Sequence, residues 1–408
     1  MAAMNLVALK SPPFRSYLVS MSVALHGLWA QRVIVGWLAW ELTGSAAFVG
    51  IVAFLNFIPT VIGSPFFGVI ADRIDLRRAS IIAYALVGTI SAIFSIIAFA
   101  DGLIPLVVAG FSLATGIIAS ANHPIRMSLT PRLAPVEHLS SVIALTALNF
   151  NLSRLVGPAI GGGLIQIIGA PSALMVTAVG YLPAVLVLPF VRPRERTNEG
   201  RKDDEGYLAA LLDGWRQALN KRIIRLGMLL SGLCAITGRS VLETLPILAD
   251  GVFEKGPAGL GLMTAVAGGG ALCASLFKAL SVAQQPNAVP QHALVMALAT
   301  PILVTSLAAV DHFFAALGIT MFLGFSVTLV AVSLQSLVQM EISDVYRGRV
   351  MGLWIMVSIG GGAAGAIIMG GVSDALGVTS AQVTIGLTAL ALCGVVVSLL
   401  NRATTDSA

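Results

Sequence analysis

The sequence predicts an all-α membrane protein of about twelve transmembrane helices, arranged as two pseudo-symmetric six-helix bundles. Three observations lead there. Of the 408 residues, 57% are hydrophobic and 11% charged, against roughly 25% charged in a soluble domain, so there is too little polar surface to cover a water-soluble globule. The mean hydropathy is +0.92, and the apolar runs behind it recur along the whole chain rather than in one anchor. A glycine pattern also recurs at a fixed offset in the two halves.

A span needs about 17–25 mostly apolar residues to cross the hydrocarbon. The first, 16–40, follows a stretch from Met1 to Phe14 that lacks the apolar centre of a cleavable signal. The second, 45–70, runs into a polar loop; the third, 79–100, opens after Arg77 and Arg78 and closes at Asp101. The fourth, 103–122, leads to Arg126, and the fifth and sixth, 139–168 and 171–191, part near Gly169. A long polar stretch, 192–222, follows. Its first part, RPRERTNEGRKDDEG, is a solvated linker; then Leu208, Leu211, Leu212, Trp215 and Leu219 at helical spacing predict a short amphipathic helix on the inner membrane surface. The remaining spans fall at 223–249, 257–282, 290–310, 312–338, 349–373 and 378–400. The expected domains are thus an N-terminal bundle at 1–191, a cytoplasmic linker at 192–222 and a C-terminal bundle at 223–408. Cys234, Cys273 and Cys393 sit inside apolar runs, without metal or disulfide spacing, and read as packing residues.

Charge sets the direction. With the N-terminus inside, inward loops hold Arg73, Arg77, Arg78, Arg126, Arg132, the group Arg192 to Arg222, Arg347 and Arg349. Outward loops hold Glu41, Asp101, Asp250, Glu254, Asp311 and Asp374, with Lys255 as their cation. The excess of arginine on one side places both termini in the cytoplasm of a cell, as in a bacterial inner membrane. The same rule accounts for the net charge of +5; no basic stripe with interleaved aromatics points to nucleic acid.

At an offset of 208, Leu145, Gly157, Gly162, Gly163 and Gly169 align with Leu353, Gly365, Gly370, Gly371 and Gly377. Both sets follow a short polar inward loop, ending at His138 and Tyr346. Parallel six-span repeats about an axis along the membrane normal are a transporter architecture, with the substrate site between them near the midplane. This is the first feature that bears on function as well as location.

The loop GVIADRIDLRR, Gly68 to Arg78, resembles the signature between the second and third spans of the major facilitator superfamily. Gly68 permits close helix approach, Asp72 can sit at the N-terminus of another helix, and Arg73, Arg77 and Arg78 hold the loop inside. The resemblance implies that these five residues latch the two halves in one state of a transport cycle. The segments 29–50, 123–165 and 346–354 are similar to a bacterial exporter branch of that family, the branch that includes the enterobactin exporter. Within it, Gly157-Pro158 followed by Gly161-Gly162 is similar to the fifth-span signature of facilitator antiporters; Pro158 removes a backbone donor and can bend the helix. Two departures stand against proton antiport: the loop around Lys278 to Asn287 lacks the Asp and most of the basic cluster, and the fourth span carries Arg126 only at its inner end.

A charge at bilayer depth costs at least about 2.5–3.5 kcal/mol unless paired or hydrated. Arg32 in the first span, Arg154 in the fifth, and Arg239 and Glu243 in the seventh are such charges. Arg239 and Glu243 are four apart and can pair along one helix face. Alternatively, Glu243 exchanges a proton, pairing in turn with Arg32 across a cavity. Asn56, Asn149, Asn151 and Arg154 form a second polar set, facing either the pathway or neighbouring helices. Trp29, Trp37 and Trp40 read as packing or interfacial anchors, and Trp29 can also wall a flat ligand; His26 is a further lining candidate.

The resemblance implies a secondary transporter that exports a small organic molecule (siderophore, drug or metabolite) by alternating access, as a monomer, driven by an ion gradient, foremost of protons, or by the substrate's own gradient, and without cofactor or metal. An importer or lipid flippase of the same fold and a non-transporting sensor remain as alternatives. No GxxxxGK[ST] loop is present for ATP hydrolysis, and no HExxH, GxSxG or paired intramembrane Asp for an intramembrane enzyme.

Overall fold

The computed structural model describes residues 6–71, 73–194, 215–216, 219–281, 289–342 and 344–405. Asp72, and Leu208, Leu211 and Leu212 of the expected amphipathic helix, lie outside the described residues. The described chain is helical throughout: α1 (Pro12–Thr43), α2 (Ala46–Ala71), α3 (Leu76–Phe99), α4 (Pro105–Leu129), α5 (Leu139–Val179), α6 (Leu182–Val187), α7 (Arg222–Cys234), α8 (Gly256–Leu280), α9 (Gln291–Leu307), α10 (Phe313–Glu341), α11 (Asp344–Leu376) and α12 (Val378–Thr405). Ten helical stretches are long and apolar enough to cross a membrane. One of them, the 55-residue Val136–Phe190, would measure about 80 Å if straight, but it breaks at Gly169 (φ 78°) into two crossings. Adding the 17-residue α9 brings the ten to twelve. Ile167, Phe190 and Phe314 are each more than 80% exposed, which suits a surface solvated by lipid tails.

Two compact units make up the chain. The first comprises Met1–Gly44, Ile58–Glu199 and Glu254–Ala265; the second comprises Ser45–Phe57, Gly200–Phe253 and Val266–Ala408. The first half of α2 thus belongs to the second unit, and the first part of α8 to the first. In the first unit α1 packs most extensively on α5, over a core that includes Phe14, Tyr17, Met21, Leu129, Leu145, Tyr181 and Leu188. Apolar packing brings little specificity inside lipid, so hydrogen bonds supplement it. Ser91 Oγ and Tyr181 OH both donate to the buried Gln31 Oε1, at 3.1 and 3.0 Å, and Ser120 Oγ donates to Pro59 O at 2.8 Å. The second unit centres on Leu230, Leu334, Leu337 and Trp354, with a Thr300–Ser326 hydroxyl bond of 2.7 Å between α9 and α10.

The repeat is visible in the backbone. Gly169 and Gly377, paired at the offset of 208, both adopt positive φ (78° and 84°), a region where a side chain is strained, and each ends a long helix. Gly157 lies against His26 and Trp29 of α1, and its partner Gly365 lies against Ile236 after α7. Gly162 meets Pro257 and Gly261 of α8, and Gly370 meets Ala46 and Ala47 of α2. Gly163 and Gly371 both have open space where a Cβ would stand. Four aligned pairs therefore share four environments, a stronger agreement than glycine identity alone.

The two units differ in the helix that opens each repeat. α1 is continuous over 32 residues. Its counterpart changes register repeatedly: α7 continues as the π-helix Ala235–Arg239, the α-helical turn Ser240–Glu243 and, beyond Pro246, the π-helix Ile247–Val252. Such π-segments interrupt the regular backbone ladder and are frequent at functional sites.

Candidate substrate and coupling site

In the first unit, α1, α4 and α5 bring three guanidinium groups to two aromatic rings. Glycine contacts set the α1–α5 distance: a Cβ on Gly157 would fall 2.6 Å from Trp29 Cβ and 2.9 Å from His26 O, and one on Gly161 2.6 Å from Ala30 O. That approach seats Trp29 edge-on to Phe150, with centroids 5.9 Å apart. Arg32 Cζ lies 4.8 Å from the Trp29 ring and Arg154 Cζ 5.8 Å. Arg126 Cζ lies 5.9 Å from Phe150. All five side chains are half-buried. A cation over a ring gains about 0.5–2 kcal/mol, less than the insertion cost of a charge at the midplane, so ring contacts alone do not offset three arginines. Trp29 Nε1 is buried without a hydrogen-bond partner among the described residues.

His26 closes the same seam. Its Nδ1 lies 2.7 Å from Ser22 O, which accepts only, so Nδ1 carries the proton; Ser153 Oγ stands 3.1 Å from that nitrogen and donates to Asn149 O at 2.8 Å. Asn149 is buried, whereas Asn151 turns Nδ2 back to Ala147 O at 2.9 Å. Of the second polar set, Asn149, Asn151 and Arg154 belong to the first unit, and Asn56 to the second.

The second unit holds the other charges. Arg239 Nε lies 3.5 Å from Glu243 Oε1, with side chains 32% and 24% exposed, and Arg239 Cζ stands 5.0 Å over the Phe57 ring. Arg239 Nε has no hydrogen-bond partner among the described residues: the pair attracts without an aligned bond. Room for the arginine comes from Gly362 of α11, where a Cβ would crowd Arg239 Cγ and Nε at 3.0 Å. The i,i+4 pair expected from the sequence is present, at the exit of the π-segment.

In the Gly68–Arg78 loop, Arg73 N–H donates to Ile70 O at 2.9 Å. Asp75 caps α3, accepting from the amides of Arg77 and Arg78 at 2.9 and 3.1 Å, and pairs with Arg78 at 3.4 Å. Arg77 reaches Pro189 O at 3.2 Å. Sequence reasoning missed Asp75 as a cap, although Asp one residue before a helix is a readable signal. It also missed Phe150, whose signal was its place one helical turn before Arg154, and it read Arg126 only as a loop charge. A groove of about 670 Å³ in the first unit, lined by Pro12, Val19, Val23, Val187 and Phe190 among others, touches none of the predicted site residues.

Known proteins agree with this architecture. Residues 3–408 match the family described as transmembrane secretion effector. The staphyloferrin A transporter of Staphylococcus aureus is 26% identical over 242 residues, 58% of this chain and 59% of that protein, so the match spans less than two thirds of that relative. The multidrug efflux pump Tap of Mycobacterium bovis is 26% identical over 380 residues, 90% of this chain and 88% of that protein. A bacterial homologue of the human lysosomal transporter Spinster, solved in an inward-facing and unoccupied conformation, superposes with a TM-score of 0.72 over 97% of both chains at 13% identity. At that identity the likeness concerns the fold. The expected major facilitator fold is therefore borne out, in a multi-pass membrane transporter.

Proposed function

This chain belongs to the transmembrane secretion effector family of major facilitator transporters, and on that premise we propose that it exports a small organic molecule by proton-coupled alternating access. The observation that carries the coupling is the Arg239–Glu243 pair, half-buried at 3.5 Å beside a π-helical break. A carboxylate held by charge attraction without an aligned hydrogen bond can change partner as the helix moves, and a change of partner changes its affinity for a proton. Glu243 is the proton carrier in this reading. Of the named relatives, a staphyloferrin A transporter and a multidrug efflux pump, the second supports export and a place near the exporter branch to which the sequence is similar.

Both termini face the cytoplasm, the protein works as a monomer, and Gly68, Asp72, Arg73, Arg77 and Arg78 latch the inner side. Gly157, Pro158, Gly161 and Gly162 give α5 its close seat on α1 and α8, along which the helices rock. The test is accumulation of labelled compounds in inside-out vesicles with an acid interior. Uptake that collapses with an uncoupler is expected; uptake indifferent to the proton gradient overturns the coupling, and uptake only in right-side-out vesicles reverses the direction.

A further inference from the structure

We infer that the seam between the start of α1 and the end of α6 binds one anionic phospholipid of the surrounding membrane, a phosphodiester such as phosphatidylglycerol. The inference is independent of the export reading and rests on the first unit alone, to which all of its residues belong. An apolar groove of about 670 Å³ runs along α1 past Pro12, Val19 and Val23, with Val187, Phe190 and Val191 on its other wall. Val19, Val23 and Phe190 are exposed. The α1 wall, from Pro12 to Val23, measures about 16 Å at the rise of an α-helix, roughly half of a hydrocarbon core about 30 Å thick. That is the depth of one leaflet, and so of one acyl chain.

Cations gather where α1 begins. Arg15 lines the groove itself and is exposed. Arg192 follows Val191 directly and, with Arg132 and Arg194, lines a second groove of about 450 Å³, in which Glu137 is the acid among the described residues. Two hydrogen bonds hold this part together: Ser11 Oγ, just before Pro12, donates to Leu133 O at 2.6 Å, and Arg194 N–H donates to Arg132 O at 2.8 Å. An apolar channel thus leads to four arginines and one glutamate at the helix ends, the level at which headgroups lie. Guanidinium forks bind phosphate oxygens in two parallel bonds, and basic pockets at this level suit anionic headgroups. A zwitterionic lipid would bring its own ammonium among the arginines, and a free phosphate would leave the channel unfilled. On the orientation proposed above, the lipid belongs to the inner leaflet.

Native mass spectrometry of the purified full chain, with dioleoyl phosphatidylglycerol and dioleoyl phosphatidylcholine supplied together, reads the preference directly. The first phosphatidylglycerol is expected to bind about tenfold tighter than phosphatidylcholine, as a charged hydrogen-bonded pair allows. Arg15→Gln combined with Arg192→Gln should remove most of that preference, and Val19→Trp, which fills the groove, should weaken the first phosphatidylglycerol. Arg225→Gln, in α7 of the second unit, should leave the preference intact, and thermal melting verifies the fold of each variant. Glycerophosphoglycerol, the headgroup without its chains, should not displace the lipid at millimolar concentration. Should a variant fail to fold, the ranking of the two lipids and this competition on the wild-type chain decide. Equal binding of the two lipids, a preference kept in the folded double variant, or unweakened binding in folded Val19→Trp overturns the inference. An equal loss in Arg225→Gln would show diffuse attraction to basic surface, and displacement by glycerophosphoglycerol would assign the arginines to a soluble phosphate ester; either overturns it as well.

Discussion

At Gly157 a hydrogen in place of a methyl group decides how closely α5 lies on α1. An added Cβ would meet Trp29 Cβ at 2.6 Å and His26 O at 2.9 Å, and the second of these is backbone, which cannot swing aside. Gly157→Ala is therefore expected to destabilise the protein by about 1–3 kcal/mol, the usual range for overpacking, read as a lower melting temperature in detergent. Gly163→Ala, with nothing within 4 Å of the added carbon, should stay within about 0.5 kcal/mol of wild type; equal losses in both would refute the close-approach argument. Legibility at this scale followed contrast. Arg32, Arg154, Arg239 and Glu243 stood out because a charge in an apolar run is conspicuous. Phe150 did not, because a phenylalanine among leucines looks like any lipid-facing residue until its ring is seen against Trp29 and near Arg126.

Helix ends hold the next level of organisation. Asp374, near the end of α11, accepts from Ser45 Oγ at 2.6 Å and from the amides of Ala46 and Ala47 at 2.7 and 3.1 Å. It thus satisfies orphan donors at the start of α2 from another helix. Gly370 lets α11 come close there, against Ala46 and Ala47. Replacing Asp374 with Ala removes all three bonds and is expected to cost about 1–2 kcal/mol, as for other helix caps, with faster amide hydrogen exchange confined to the first turn of α2. Unchanged exchange there would show that water caps the helix as well. The sequence reading placed Asp374 in an outward loop and gave it no partner, since a contact spanning more than 300 positions leaves no local trace. Helix existence and order were legible from hydropathy. The π-segments in the seventh span were not, because no local residue pattern marks them; in the first, Gly238 is packed so closely that an added Cβ would meet Val327 Cγ2 at 2.5 Å and Thr300 Cγ2 at 2.6 Å.

For the whole molecule, the repeat is what ties fold to function. Equivalent glycines turn the chain at Gly169 and Gly377 and seat helices at Gly157 and Gly365, so one design is used in both units. The charges break that symmetry: arginines around rings in the first unit, an arginine–glutamate pair in the second. On the proposed proton-coupled reading, proton exchange belongs to the second unit, at Glu243. The most direct test compares two modes of transport by Glu243→Gln in proteoliposomes. Exchange of labelled for unlabelled substrate needs no net proton movement, whereas accumulation against a gradient does. The account predicts that Glu243→Gln keeps exchange and loses accumulation driven by a pH gradient; gradient-driven accumulation at the wild-type level in that variant would contradict it.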